Sequence, residues 1–378
     1  MFDLVIVRAY VTFPDEGGGV DRYITLHNYA LKSGLNSLLC SSTYLHNKKS
    51  SRYLKNPSIS KVHLIDAGGY ISNLSIQRLF FELKFAYKAY KFVRQSDAKS
   101  VLIGEPLFLG WIFFMWLRLT KGTIIFGDFI DLMPEAYLVK FRYKLWFWSL
   151  FWIFYVTRWA RANLFYDKVF TVSQSYTNKI LIISKRAKST FYWGINKKQV
   201  SNIKINKSKI VYAGSLGEGY DIEILIELAI KRPNLEVVIA GAGPKSDLCR
   251  RAHDQGIITF LGQLDSEGLE CLYKGAYYGV LPYKKNSAVS MPIKFYEYLA
   301  HELVIINSLN MECSEVIDEF GLGCNYLPED LSSLCDAIDT ASKISISRNV
   351  IKGLLSKYSV EYQYKSFVSN IYNMLESR

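Results

Sequence analysis

Short apolar runs alternate with amphipathic segments along the whole chain, in the rhythm of strand, helix, strand. Leu4–Val7, Ser37–Cys40, Val62–Ile65, Val101–Ile103, Thr123–Phe126 and Lys168–Val172 have the length and composition of buried strands. Val20–Ser33 and Ser75–Gln95, between them, have helical character. The pattern restarts after residue 208 with Lys209–Tyr212, Glu236–Ala240, Ile258–Phe260, Gly279–Leu281 and Leu303–Ile306. Apolar strands separated by helices pack as a parallel sheet covered on both faces. The prediction is α/β, with two doubly wound, Rossmann-like domains over 1–195 and 208–346. The polar stretch Asn196–Ser208, rich in Lys, Asn and Ser, is the expected linker. Ligands of such sheets bind beyond the carboxyl ends of the strands, so a central cleft is the expected site.

The segment Met291–Ile306 reads as a loop, a helix and a buried strand. Lys294 and Glu297 are three residues apart and share a face of the first helical turn. A helix start offers free N–H groups and partial positive charge, and Lys294 adds a full one; together they suit a diphosphate. A carboxylate such as Glu297 accepts hydrogen bonds from a vicinal diol such as a ribose. Diphosphate beside ribose describes a nucleotide sugar.

Met291-Pro-Ile-Lys-Phe-Tyr-Glu-Tyr-Leu-Ala300 resembles the donor-binding motif of family 4 glycosyltransferases, in the variant common among bacterial enzymes of surface polysaccharide synthesis. Other stretches agree in order: Gly17-Gly-Gly-Val20, Asp167–Ser175, Phe191–Asn196, Val211-Tyr-Ala-Gly-Ser-Leu216, Val237–Pro244 and Phe260-Leu-Gly-Gln263. The resemblance covers most of the chain and implies the GT-B fold, transfer with retention of anomeric configuration, and no metal or other cofactor. It also implies that the last helical stretch, Ser347–Glu376, crosses back to the first domain.

The sequence departs from that pattern at two places. The first of the family's two glutamates falls at Val289, and Ser215 and Glu218 occupy the region of its phosphate-binding Arg and Lys. Lys294 is therefore expected to carry more of the phosphate, and backbone N–H groups around Ser287 to Met291 the sugar. The expected donor contacts are Gly18, Gly19, Gly214, Ser215, Gly241, Gln263, Ser290, Met291, Pro292 and Ile293. Gly17–Gly19 reads either as a loop that lets backbone approach a phosphate or sugar, or as a plain turn before a helix. Asp128 and Asp131, after a strand of the first domain, are read either as carboxylates that orient or deprotonate an acceptor hydroxyl or as helix N-caps. Glu105 is a weaker candidate of the same kind. Asp128, Asp131, Lys294 and Glu297 form the expected catalytic set.

Charge sharpens the picture. The chain has a net charge of +12, yet residues 1–190 hold 26 Lys/Arg against 12 Asp/Glu. An anionic partner for the basic half is implied, and the absence of a nucleic-acid motif leaves an anionic membrane surface. Phe141–Tyr155 contains nine aromatics, with Lys140, Arg142 and Lys144 ahead of its apolar part and Arg158 and Arg161 behind. Its uncharged run Leu145–Thr157 reaches only about 20 Å as a helix, against the roughly 30 Å of a bilayer core. An interfacial helix is expected, with a helix buried in the first domain as the alternative. The six cysteines form no Cys-x-x-Cys pair and read as reduced thiols of a cytosolic protein, with no metal site. The amino terminus reads as a strand rather than a signal peptide.

The expectation is a cytoplasmic glycosyltransferase, peripheral on the inner membrane face. It would transfer sugar from a nucleotide diphosphate donor to a lipid-linked glycan acceptor in surface polysaccharide or lipopolysaccharide synthesis. A catalytically silent subunit of an assembly complex and a sugar-nucleotide epimerase of the same fold remain open alternatives.

Overall fold

A computed structural model describes residues 1–16, 21–52, 59–73, 75–107, 110–141, 143–180, 187–195 and 206–377. The chain divides into two compact units: residues 1–133, 150–192 and 363–378, and residues 134–149 and 193–362.

The first unit is built on strands β1 (Leu4–Val7), β2 (Ser37–Ser42), β5 (Val62–Ile65), β6 (Ser100–Glu105), β7 (Ile124–Phe129), β8 (Lys168–Thr171) and β9 (Ala187–Thr190), with β3 (Tyr44–Leu45) and β4 (Ser50–Ser51) forming a small antiparallel pair. The main sheet runs β5-β2-β1-β6-β7-β8-β9 and every ladder in it is parallel. Helices α1 (Arg22–Lys32), α2 (Ile76–Gln95) and α3 (Trp111–Lys121) connect its strands. Asp21 caps α1 by accepting from the N–H groups of Tyr23 and Ile24, and Ser75 caps α2 from Arg78. Gly122 ends α3 in the left-handed conformation. Next come α4 (Leu138–Phe141), α5 (Leu145–Ala160) and α6 (Gln174–Ile180).

The second unit repeats the design. Strands β10 (Lys209–Ala213), β11 (Glu236–Ala240), β12 (Thr259–Phe260), β13 (Tyr278–Leu281), β14 (Val304–Asn307) and β15 (Gly323–Asn325) form a parallel sheet in the order β12-β11-β10-β13-β14-β15. Helices α7 (Ile222–Lys231), α8 (Ser246–Asp254), α9 (Ser266–Tyr273), α10 (Ile293–Ala300), α11 (Glu312–Phe320) and α12 (Leu331–Ala341) join its strands, followed by α13 (Arg348–Lys357) and α14 (Val360–Glu376). Its core packs Ile210, Tyr212, Leu225, Ile239, Val280 and Ile306 with the inward faces of α7 and α12. In both sheets the strand order reverses beside the first strand, at β1/β6 and at β10/β13. That crevice is where open α/β sheets bind ligands.

Some boundaries differ from expectation. Strands β9 (Ala-Lys-Ser-Thr) and β15 (Gly-Cys-Asn) lack an apolar run and are edge strands held by one neighbour, so hydropathy does not reveal them. Residues 134–149 group with the second unit rather than the first. The single helix expected over Ser347–Glu376 is two, broken where Ile195 exchanges backbone hydrogen bonds with Tyr358 and Val360 at 2.7 and 3.0 Å. Only the part from Gln363 onward groups with the first unit.

Candidate donor and acceptor sites

In the second unit the loops after β10 and β11 are stacked backbone on backbone. Gly214 N–H donates to Ala240 O at 2.9 Å, Leu216 N–H to Ala242 O at 3.0 Å, and Gly241 N–H to Gly262 O at 2.7 Å. The spacing leaves no room for side chains. A Cβ on Gly241, which has φ +147°, would lie 1.8 Å from Gly214 O. At Gly214, with φ +152°, a Cβ would lie 2.0 Å from Lys294 Cε and 2.3 Å from its Nζ. Lys294 therefore lies directly over bare main chain.

Its ammonium is 5.4 Å from the Tyr212 ring centroid and 4.9 Å from that of Tyr220, within cation–π range. Tyr212 is fixed in turn by its hydroxyl, which donates to Ser215 O at 2.6 Å. Lys294 belongs to the first turn of α10, whose N-cap is Pro292 with no side-chain cap. Positive charge from the ammonium and from the helix start thus collects above the Gly214 floor.

Glu297 lies one turn along α10. Its Oε2 accepts from the Tyr273 hydroxyl at 2.7 Å, from the end of α9. Burial, then Tyr298 and Glu297, push the Tyr273 phenol far above its ordinary range, so it remains a donor. The carboxylate is held at one oxygen. His301 donates from Nδ1 to Glu297 O at 2.7 Å and finishes α10.

Contact thus joins Gly214, Gly241 and Lys294, with exposed Ser215 next to Gly214. Ser290, Met291 and Pro292 are buried where the chain enters α10, and Ile293 is exposed. Gln263 is exposed beside Gly262. Gly18 and Gly19 lie outside the described residues. Sequence reasoning missed Tyr212, Tyr220 and Tyr273; a tyrosine in a strand or a helix end looks like core, and only the fold turns these toward the motif.

In the first unit the two aspartates part company. Asp128 is fully buried within β7, and its carboxylate forms a two-pronged pair with Arg22, Nε to Oδ2 at 2.8 Å and Nη2 to Oδ1 at 3.0 Å. This corrects the expectation of an acceptor-facing group or an N-cap: β7 extends three residues beyond its predicted end and carries Asp128 into the sheet. Asp131 lies two residues past β7 and keeps an exposed side chain. Surrounding protein raises its carboxyl above the ordinary value, against the opposing pull of Arg8 and then Arg78. Glu105 is buried and accepts from Arg161 at 2.9 and 3.2 Å and from Leu107 N–H at 3.0 Å. It is a structural ion pair. Among the described residues no group of three His, Cys, Asp or Glu side chains is placed to hold a metal ion.

Residues 207–343 match the family model described as "Glycosyl transferases group 1". No curated protein sequence matches the chain. Sucrose-phosphate synthase from Thermosynechococcus elongatus superposes with a TM-score of 0.73 at 15% identity, over 99% of each chain. The lipopolysaccharide outer core galactosyltransferase WaaB gives 0.66 at 14%, over 98% of this chain and 99% of that one. HepE of Anabaena, solved in complex with UDP, gives 0.67 at 12%, over 99% and 100%. At these identities the likeness establishes the fold: two Rossmann-like domains of the GT-B type.

Proposed function

We propose, from the premise that this chain is a glycosyltransferase of the GT-B type with a group 1 domain over residues 207–343, that it takes a UDP-sugar as donor and a lipid-linked glycan as acceptor. Surface polysaccharide or lipopolysaccharide synthesis is the setting, and retention of anomeric configuration the outcome. The observation that carries the reading is Lys294, laid over Gly214 at an uncapped helix start, with Glu297 anchored one turn away. Solved relatives hold UDP, UDP with glucose, and UDP-2-fluoroglucose, which favours uridine here.

In this mechanism the β-phosphate rests against Lys294 and the first N–H groups of α10. Charge that develops on the leaving diphosphate meets fixed positive charge there, without a metal ion or other cofactor. Glu297 accepts from the ribose hydroxyls while Tyr273 fixes its orientation. Backbone N–H groups near Ser290 hold the sugar in place of the carboxylate missing at Val289. Asp131, a carboxylate exposed just past β7, is the group suited to accept a proton from the acceptor hydroxyl.

Titration calorimetry of wild-type protein with UDP, GDP, ADP and their sugars tests the reading. Selective, saturable binding of uridine nucleotides is expected; no binding of any nucleoside diphosphate by folded protein overturns it. Tyr273→Phe leaves Glu297 without its donor and is expected to weaken UDP binding about three- to tenfold, less than loss of a direct charged hydrogen bond. In the Glu297→Gln background the same change should have little further effect. Additive losses would show that the two act separately.

Peripheral attachment to an anionic membrane is the second part of the reading. Helix α5 exposes Trp146, Trp148, Trp152, Ile153 and Val156, and α3 exposes Trp116 and Leu119. Helix α2 adds a stripe that sequence reasoning missed: Ile76, Phe80 and Tyr87 are exposed at helical spacing alongside exposed Lys84, Lys88 and Lys91. Apolar side chains edged by lysine suit a headgroup boundary. Arg158 and Arg161, expected to meet lipid, are instead buried, bonding Met133 O and Glu105; Lys140 and Arg142 lie outside the described side chains. No described helix is long and apolar enough to cross a membrane. The protein is expected to float with vesicles rich in anionic lipid at low salt, and Trp116→Glu with Trp152→Glu to lose most of that binding. Equal flotation with neutral vesicles, or none at low salt, contradicts the attachment.

A further inference from the structure

A second charged cluster lies at the carboxyl end of the first unit's sheet, away from the donor motif in sequence. Arg8 follows β1, His46 and Lys49 lie in the turn between β3 and β4, Tyr70 follows β5, and Arg78 is in the first turn of α2. They converge on two phenol rings. The Arg8 guanidinium is 5.7 Å from the Tyr10 centroid and that of Arg78 is 5.3 Å from it. The Lys49 ammonium is 4.7 Å from the Tyr70 centroid, and the His46 ring 4.8 Å from that of Tyr10.

Arg78 has a carboxylate partner, Glu82, at 2.9 Å. Arg8 and Lys49 have neutral ones. Arg8 Nη1 donates to the carbonyls of Gly104 at 3.1 Å and Glu105 at 2.8 Å, while its buried Nε meets no acceptor among the described residues. The side chain is only 8% exposed, so this donor is withdrawn from water as well. Lys49 donates to Asn73 Oδ1 and lies 3.3 Å from His46 Nδ1. The carboxylates of Asp131 and Asp21 act on Arg8 through space but pair with neither cation. Two cations are thus held against rings and neutral oxygens rather than in direct ion pairs among the described residues.

The histidine reports the same field. Burial, then Lys49, Arg78 and Arg8, lower its pKa to about 4, so the imidazole is neutral at physiological pH. Its Nδ1 faces two donors, the Lys49 ammonium and the Tyr70 hydroxyl. Nδ1 is therefore the acceptor and Nε2 carries the proton, available to an incoming oxygen.

We propose that this cluster binds an oxyanion on a sugar, phosphate or carboxylate, through direct contact with Lys49, with His46 Nε2 donating to an adjacent oxygen and buried Arg8 contributing its charge at a distance. The assignment of that sugar as the acceptor rests on the glycosyl-transfer reading; the anion binding does not.

Protein saturated with UDP, to occupy the donor site, is titrated with glucose 6-phosphate, glucuronate and glucose, for wild type and Lys49→Gln. At least one anionic sugar should bind about tenfold or more tighter than glucose, as a charge-assisted contact implies, and the tighter of the two identifies the anion. Lys49→Gln should remove most of that advantage and leave the glucose affinity alone. This variant is chosen because Lys49 is half-buried, whereas a change at buried Arg8 endangers folding. No preference for either anion, or a preference that survives Lys49→Gln, overturns the proposal. Failure of UDP to bind while the anionic sugar still does removes the transfer reading and leaves this site standing.

Discussion

Replacing Lys294 with alanine is expected to lower the rate of sugar transfer by about 10²–10³-fold, the usual cost of deleting one preorganised group that stabilises a developing anion. The side chain is the cation nearest the Gly214 floor, and Tyr212 and Tyr220 hold it there before any ligand arrives. Preorganisation of this kind acts more strongly on the transition state than on the ground state. UDP affinity should therefore fall less than turnover does. Lys294→Arg should not rescue, since a forked guanidinium cannot lie in the space a Cβ on Gly214 would occupy. Turnover of a UDP-sugar in single-turnover assays, beside UDP binding, separates the two effects. Unchanged transfer in Lys294→Ala would remove this residue from the chemistry and falsify the placement of the diphosphate.

The second large effect concerns stability. Asp128→Ala leaves the Arg22 guanidinium buried without its carboxylate, and breaking such a pair costs about 3–5 kcal/mol. Arg22 keeps its bonds to Phe191 O at 2.9 Å and Tyr192 O at 3.4 Å and its place over the Phe367 ring, 5.2 Å from the centroid, and these partners carry no charge. The unfolding midpoint in urea should drop sharply while the slope changes little. Arg22→Met combined with Asp128→Leu should recover much of the loss, because it removes both buried charges together. A normally stable Asp128→Ala protein that loses only transfer activity would return Asp128 to the catalytic set.

The legibility of this chain divides by physical type. Strands such as β1 and β13, and β11 after its first residue Glu236, are continuous apolar runs, so composition alone marks them, and the helices between them fix the parallel arrangement. The turn carrying Lys294 and Glu297 was readable because spacing on a helix is geometry. Asp128 misled because an aspartate near a strand end looks like a loop residue unless its partner is known. That partner, Arg22, is 106 positions away. The Tyr273 contact to Glu297 and the convergence of Arg8, His46, Lys49 and Arg78 are likewise products of tertiary structure. No local pattern announces them.

The stacked glycines after β10 and β11 build a floor without side chains. The surface under Lys294 is made of peptide units, and its contour is dictated by hydrogen bonds between main-chain atoms. Exposed side chains next to it in sequence, such as Ser215 and Gln263, can be exchanged without reshaping it. Selection could therefore swap the sugar accepted while the seat proposed for the diphosphate stays constant. The same separation makes rim positions the rational library for redirecting donor choice, and marks Gly214 and Gly241 as the two places such a library should leave alone.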